Sequence, residues 1–183
     1  MVLEINNTKA ILLDVLKSGS KSCSELDQAI TTFATFCSAV RDHSNDFISQ
    51  TFECLYEKCS PLLLIECLKS WGVTLYKAKN FGDAQHLFKK AEGLCKASKA
   101  ERILHADILS WLGKIYHIQG AFSEAEAFIQ KALKYHSISS HMQGIGDDLA
   151  GLGAIYFALN IFDKAEVVIA STCTSQEDDW GHG

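Results

Sequence analysis

The side chains of this sequence that could carry out chemistry are its histidines, cysteines and carboxylates, which act in proteins as nucleophiles, proton carriers and metal ligands. Cys54 and Cys59 are five residues apart on a predicted helix, which puts them on different faces. Neither this pair nor His136 and His141 has the spacing of a zinc site. The sequence contains no glycine-rich phosphate loop, no G-x-S-x-G and no H-E-x-x-H. We therefore predict a protein that is not an enzyme, with no cofactor and with no catalytic or metal-binding residues.

The composition and charge favour one helical domain. The chain has 183 residues, of which 48% are hydrophobic, enough for a sizeable core. The single proline, Pro61, favours long helices over a sheet protein, which would need many turns. The net charge of −5, without a Lys/Arg cluster, gives no electrostatic reason to bind nucleic acid or anionic lipid. We therefore predict no nucleic-acid partner and no membrane partner.

The sequence also bears on cellular location. No segment approaches the ~20 consecutive apolar residues that a membrane-spanning helix needs. The N-terminus lacks the basic start and apolar core of a signal peptide. The seven cysteines, an odd number scattered through predicted helices, are typical of reduced and mostly buried thiols. These features predict an intracellular protein, either cytoplasmic or nuclear.

Three copies of one pattern recur along the chain, each built around a glycine: Gly72, Gly113 and Gly153. Large apolar residues stand four positions before, one before and three after each glycine. An aromatic residue follows nine positions after the glycine, an alanine after twelve and a large apolar residue after sixteen. In chain order these residues are Phe81, Ala84, Phe88; Phe122, Ala125, Ile129; and Phe162, Ala165, Ile169.

The spacing of this pattern predicts pairs of packed helices. Apolar residues three and four apart lie on one face of a first helix, and the glycine beside them leaves room for a second helix. The alanine is the matching small residue on the second helix, which the aromatic residue opens after a short polar turn. Because such a pair cannot bury its apolar face alone, successive pairs must stack.

These residues closely resemble the tetratricopeptide repeat family, whose pattern is W-x2-L-G-x2-Y, then A-x3-F, then a proline. The resemblance covers Leu68 to about Thr172. The closing proline is missing from every copy, and the glycine spacings of 41 and 40 residues exceed the usual 34. The extra residues are expected to lengthen the helices. The resemblance implies an all-α fold of antiparallel helix hairpins stacked as a solenoid, a superhelix of the tetratricopeptide type in its long-repeat variety.

We divide the chain into N-terminal helices over residues 1–58, hairpins over residues 59–175 and an acidic tail over residues 176–183. The hairpins are predicted at about 60–98, 100–137 and 140–173, with Ser60 as a helix N-cap and Pro61 in the first helical position. Residues 1–58 are either diverged repeats, which we favour, or a cap. No polar-faced helix follows the third copy, so either the chain is a fragment or a partner covers that end.

The resemblance also implies where a partner would bind. In this family the first helices of successive repeats line a concave groove that binds extended or helical peptides. Carried over position by position, the groove of this chain includes Gly151 and the following candidate binding residues: Lys69, Tyr76, Lys77, Trp111, Lys114, His117 and Phe157.

Trp111 is the strongest of these candidates. It stands beside a packing leucine, on the side of the helix that the repeat does not need for its own core, and aromatic anchors dominate protein interfaces. With Tyr76 and Phe157 it would form an aromatic strip; otherwise Trp111 simply covers the flank of a lengthened helix. Few basic residues and no asparagine occupy the groove positions, which disfavours recognition of a C-terminal carboxylate.

The sequence therefore predicts an interaction scaffold or adaptor that binds a peptide or helix of a partner protein in its groove. Two alternatives remain. The chain could be the non-catalytic regulatory or docking arm of a larger enzyme, or a structural subunit that binds through its convex side. A homodimer or larger complex through the uncapped repeat end is also expected to be possible.

Overall fold

A computed structural model describes residues 61–98 and 101–177, and every regular element in these ranges is an α-helix. The predictions for residues 1–58, for Ser60 and for most of the acidic tail lie outside them. The helices are α1 (Pro61–Lys77), α2 (Phe81–Ser98), α3 (Arg102–Ile118), α4 (Phe122–Ile138), α5 (Met142–Ala158) and α6 (Phe162–Glu177). The chain forms two compact units, residues 1–98 and residues 99–183. The first unit contains α1 and α2, and the second contains α3 to α6.

Helix boundaries follow the local signals in the sequence. Helix α1 begins at Pro61, whose fixed φ and missing N–H suit the first helical position. The aromatic residues that were predicted to begin the second helix of each hairpin are the first residues of α2, α4 and α6, namely Phe81, Phe122 and Phe162. Within the described ranges, none of these helices is both long and apolar enough to cross a lipid bilayer.

The two helices of each hairpin approach at the repeat glycine, as the pattern predicts. A Cβ added to Gly72 would lie 2.8 Å from the ring of Phe88, and one added to Gly113 would collide with the side chain of Ile129. At Gly153 the corresponding neighbour is Ile169, at 3.1 Å. The matching alanines, Ala84, Ala125 and Ala165, are all buried. The predicted close approach of paired helices at the repeat glycine is therefore confirmed, and at Gly113 the backbone oxygen of Ala125 also lies close.

The short connections within and between these hairpins share one geometry. Lys79, Gly120, Ser140 and Asn160 each have a positive φ, between 52° and 75°. In each connection the next N–H donates to a carbonyl five residues earlier, as Asn80 does to Leu75 and His141 to His136. This is the Schellman ending of a helix, which normally places glycine at the positive-φ position. Three of the four positions are occupied by other residues.

In the second unit, the two hairpins pack on each other through α4 and α5. The core between them includes Ile129, Leu152 and Ile155, and the Tyr156 hydroxyl donates to a Glu126 carboxylate oxygen at 2.7 Å. A Cβ on Gly151 would lie 2.9 Å from Cδ1 of Ile129. Gly151 therefore packs against the preceding hairpin, and its expected place in the groove is wrong, because its missing side chain makes room for Ile129.

The long spacing between repeats comes from long helices. Helices α3, α4 and α5 have 17 residues each, and three-residue turns connect them. A helix of 17 residues is about 25 Å long. The fold class is all-α, built from antiparallel helix hairpins of the tetratricopeptide-like type.

Candidate partner-binding groove

The second unit contains a depression of about 210 Å³ between α3 and α5, closed at one end by the turn after α4. We call it the α3–α5 depression. Both α3 and α5 are the first helices of their hairpins, the position from which the sequence predicts the groove. Its lining residues are Asp107, Ser110, Trp111, Lys114, His136, His141, Gln143, Gly144 and Asp147.

Trp111 and Lys114 form one wall of the depression. The indole of Trp111 is half-buried, and the ammonium of Lys114 lies 4.6 Å from the centre of its ring. This is the geometry of a cation–π contact. An aromatic face that lines a depression is a surface on which an apolar side chain of a partner can pack.

The floor of the depression holds a buried network around His136, which is only 1% exposed. Its Nδ1 lies 2.7 Å from Oδ2 of Asp148, and its Nε2 lies 3.3 Å from Oδ1 of Asp107. The hydroxyl of Ser110 donates to the other oxygen of Asp148. Burial raises the pKa of the Asp148 carboxyl, and the hydrogen bonds from Ser110 and His136 act in the opposite direction. Both oxygens of the buried Asp148 carboxylate therefore have a hydrogen-bond partner.

Gly144 makes room for this network. A Cβ at position 144 would lie 2.6 Å from three atoms of the His136 imidazole. The first turn of α5 therefore needs glycine at this point so that the ring can lie flat against the helix and reach Asp148.

Three side chains in the depression also meet the geometric requirement for a metal site. Asp107, His136 and His141 each offer one ligand atom, and these atoms all lie within 4.8 Å of one another. Sequence spacing did not reveal this group, because Asp107 is on a different helix and 29 residues before His136. The available signal was the polarity of Asp107, which is partly exposed, and of Asp148, which is buried on the mostly apolar helix α5.

The structure places the predicted binding residues in several environments. Of the seven, Trp111 and Lys114 line the α3–α5 depression. His117 lies further along α3, with its ring 5.8 Å from that of Phe122. Phe157 on α5 is 63% exposed, and its ring contacts Phe162 edge to face.

The other three predicted residues belong to α1, in the first unit. Tyr76 is half-buried, with its ring 5.4 Å from that of Phe81. Lys69 is half-buried and Lys77 is exposed. The aromatic strip that would include Tyr76, Trp111 and Phe157 stays a prediction.

Comparison with known proteins gives structural similarity only. No family model matches the sequence, and no curated protein matches it. Among solved structures, aspartyl phosphate phosphatase F from Bacillus subtilis is similar with a TM-score of 0.66 and 18% identity, over 88% of this chain and 43% of that protein. This chain thus spans less than half the length of that phosphatase.

Two further solved structures are similar at comparable levels. PlcR from Bacillus thuringiensis, solved with the peptide PapR7 and DNA, has a TM-score of 0.57 and 10% identity, over 98% of this chain and 69% of PlcR. BtubC from P. vanneervenii has a TM-score of 0.52 and 16% identity, over 100% of this chain and 92% of BtubC. At these identities the likeness shows the fold alone, a tetratricopeptide-like helical repeat.

Proposed function

We propose that this chain is an interaction scaffold of the long-repeat tetratricopeptide type, and that it binds a peptide or helix of a partner protein in the α3–α5 depression. The repeat pattern and the fold of PlcR, which was solved with a bound peptide, support this function. The absence of a catalytic motif in the sequence favours a non-enzyme, although one similar structure is called a phosphatase. We propose that the protein is intracellular and has no nucleic-acid partner. The exclusion of nucleic acid rests on the charge of the chain alone, since PlcR was solved with DNA.

The observation that carries the proposal is the position of Trp111. A tryptophan that keeps part of its ring open to a depression, on the helix face that the hairpin core does not use, matches the properties of interface hot spots. Its replacement by alanine in such interfaces typically costs about 2 kcal/mol or more, a loss of roughly thirtyfold in affinity.

The charges around the depression indicate the chemistry of the partner. Asp147 is an exposed carboxylate on the rim, Asp107 is partly exposed, and the basic group on this wall, Lys114, lies over the indole. We therefore propose a partner segment with an apolar side chain for Trp111 and a basic residue for the Asp147 carboxylate.

A displayed library of random 12-residue peptides, selected on the purified chain, tests the proposal. Selected peptides are expected to contain an apolar residue near a basic residue, and Trp111→Ala is expected to weaken their binding at least tenfold in calorimetric titration. Val167→Ala is the matched control, because this side chain is 67% exposed on α6 and does not line the depression. Equal affinity for wild type and a folded Trp111→Ala variant would show that the groove proposal is wrong.

The alternative function, a regulatory or docking arm of a larger assembly, is favoured by a different observation. Several large apolar side chains of α6 are exposed, among them Phe162 at 55% and Ile169 at 50%. An exposed apolar surface of this kind is typical of a helix face that another protein element covers. The homodimer prediction also stays open, and size-exclusion chromatography with light scattering tests it.

A further inference from the structure

The geometry points to a second binding property of this chain, one that its peptide groove does not explain. We propose that Asp107, His136 and His141 bind a divalent transition-metal ion of the zinc class at the floor of the α3–α5 depression. Two imidazoles and one carboxylate suit zinc, whereas calcium and magnesium prefer sites made of oxygen atoms alone.

The distances support ligation without a large rearrangement. Ligands at about 2.0–2.1 Å from a tetrahedral zinc ion lie roughly 3.3 Å from each other. The Nε2 of His136 and Oδ1 of Asp107 are separated by 3.3 Å. The ligand atom of His141 lies within 4.8 Å of both, so a modest movement of this half-buried side chain completes the set.

The surroundings of His136 are those of an oriented metal ligand. Metal-binding histidines usually donate their second N–H to a carboxylate, which fixes the tautomer and the ring. Here Nδ1 lies 2.7 Å from Asp148, whose other oxygen accepts a hydrogen bond from Ser110. This arrangement leaves Nε2 pointing toward Asp107 and the depression. Gly144 leaves the space that the ring needs in this orientation.

His141 provides an independent observation. Its Nδ1 is buried and has no hydrogen-bond partner. Its ring centre lies 5.1 Å from that of His136. Buried polar atoms are rarely left unpaired, because desolvation of such a group is costly. The contacts of His136 with Asp107 and Asp148 satisfy those two carboxylates without a metal, but they leave the His141 nitrogen unexplained. A cation that draws His141 toward the other two ligands explains it.

Three protein ligands leave a fourth tetrahedral position, which faces the α3–α5 depression. Water or a donor atom from a bound partner can fill this position. The site would then link α3, the end of α4 and the turn before α5, and so would join two hairpins of the second unit.

Cobalt binding to the metal-stripped full chain, measured under reducing conditions, tests the site. Cobalt(II) reports its ligands by absorption: d–d bands mark a tetrahedral site, and thiolate charge-transfer bands mark binding by any of the seven cysteines. We expect one equivalent bound with d–d bands and without thiolate bands, and displacement of the cobalt by zinc. We also expect zinc to raise the melting temperature.

Two variants and two matched controls complete the design. His141→Ala and Asp107→Asn are expected to weaken cobalt binding more than tenfold and to abolish the melting shift. Because the Nδ1 of His141 has no hydrogen-bond partner, its removal should preserve the fold, which circular dichroism verifies. His86→Ala, at an exposed position of α2, and Asp163→Asn, at an exposed position of α6, should bind within twofold of wild type. The absence of wild-type binding, cobalt spectra with thiolate bands alone, or undiminished affinity in a folded His141→Ala variant would each overturn the proposal.

Discussion

Replacement of Gly113 by alanine tests the packing on which the whole fold depends. The new Cβ would overlap the side chain of Ile129 and would lie 3.2 Å from the carbonyl oxygen of Ala125, closer than ordinary contact. Ile129 is 1% exposed and cannot move into solvent. Overpacking of a buried site typically costs about 1–3 kcal/mol. Alanine also gains about 1 kcal/mol of helix propensity over glycine, so the net destabilisation is expected to be about 0–2 kcal/mol.

Two other glycines separate these contributions. Gly146 lies inside α5 with no atom within 4 Å of an added Cβ, so Gly146→Ala should stabilise by about 1 kcal/mol. Gly153→Ala meets Ile169 at 3.1 Å, but Ile169 is 50% exposed and can yield, so the change should be close to neutral or mildly stabilising. Urea denaturation followed by circular dichroism gives the three free energies of unfolding. The difference between Gly113→Ala and Gly146→Ala should be about 1–3 kcal/mol.

Equal stabilisation by Gly113→Ala and Gly146→Ala would refute the reasoning. It would mean that α3 and α4 do not approach closely at Gly113, and that the repeat pattern reports something other than helix packing.

Two further predictions concern the turns and a thiol. Ser140 has a φ of 52°, so Ser140→Gly should raise the free energy of unfolding by about 0.5–1 kcal/mol, as measured by urea denaturation. Asn160→Gly should raise it by less, because asparagine tolerates positive φ. Equal gains in the two variants would contradict this prediction. Burial, followed by the charge of Glu92, raises the pKa of the Cys95 thiol to about 11. Native Cys95 should therefore react with iodoacetamide at pH 8 at least tenfold more slowly than in urea, as measured by peptide mass spectrometry. Because the folded state favours the protonated thiol, this group's contribution to stability should fall as the pH rises from about 9 to 11. Rapid native labelling would show that this thiol is accessible.

The fold could be predicted from the sequence because its packing is local and repeats. Each glycine and the large residue sixteen positions later belong to adjacent helices, so their contact depends on a single turn of fixed length. The three copies reinforced one another, since Gly72 and Gly113 are followed by the same kind of residue at the same distances. Even the helix openings at Phe81 and Phe122 followed from this pattern.

The floor of the candidate site could not be predicted in the same way. His136 and Asp148 come from different hairpins, and the first copy has Cys95 and Cys67 at the corresponding positions, so the repeat gave no register for their contact. Gly151 shows the same difficulty, because its role depends on Ile129 of the preceding hairpin. Contacts between hairpins vary from copy to copy, and only three-dimensional coordinates show which side chains meet.

Ile129 packs against glycines of two different hairpins in the second unit. Its side chain fits against Gly113 on one side and Gly151 on the other, so one residue contributes to the interior of a hairpin and to the boundary with the next. In repeat proteins, the strength of such boundaries relative to the units themselves decides whether units melt singly or together. With its buried side chain shared in this way, the segment from α3 to α6 should lose its structure in one cooperative step.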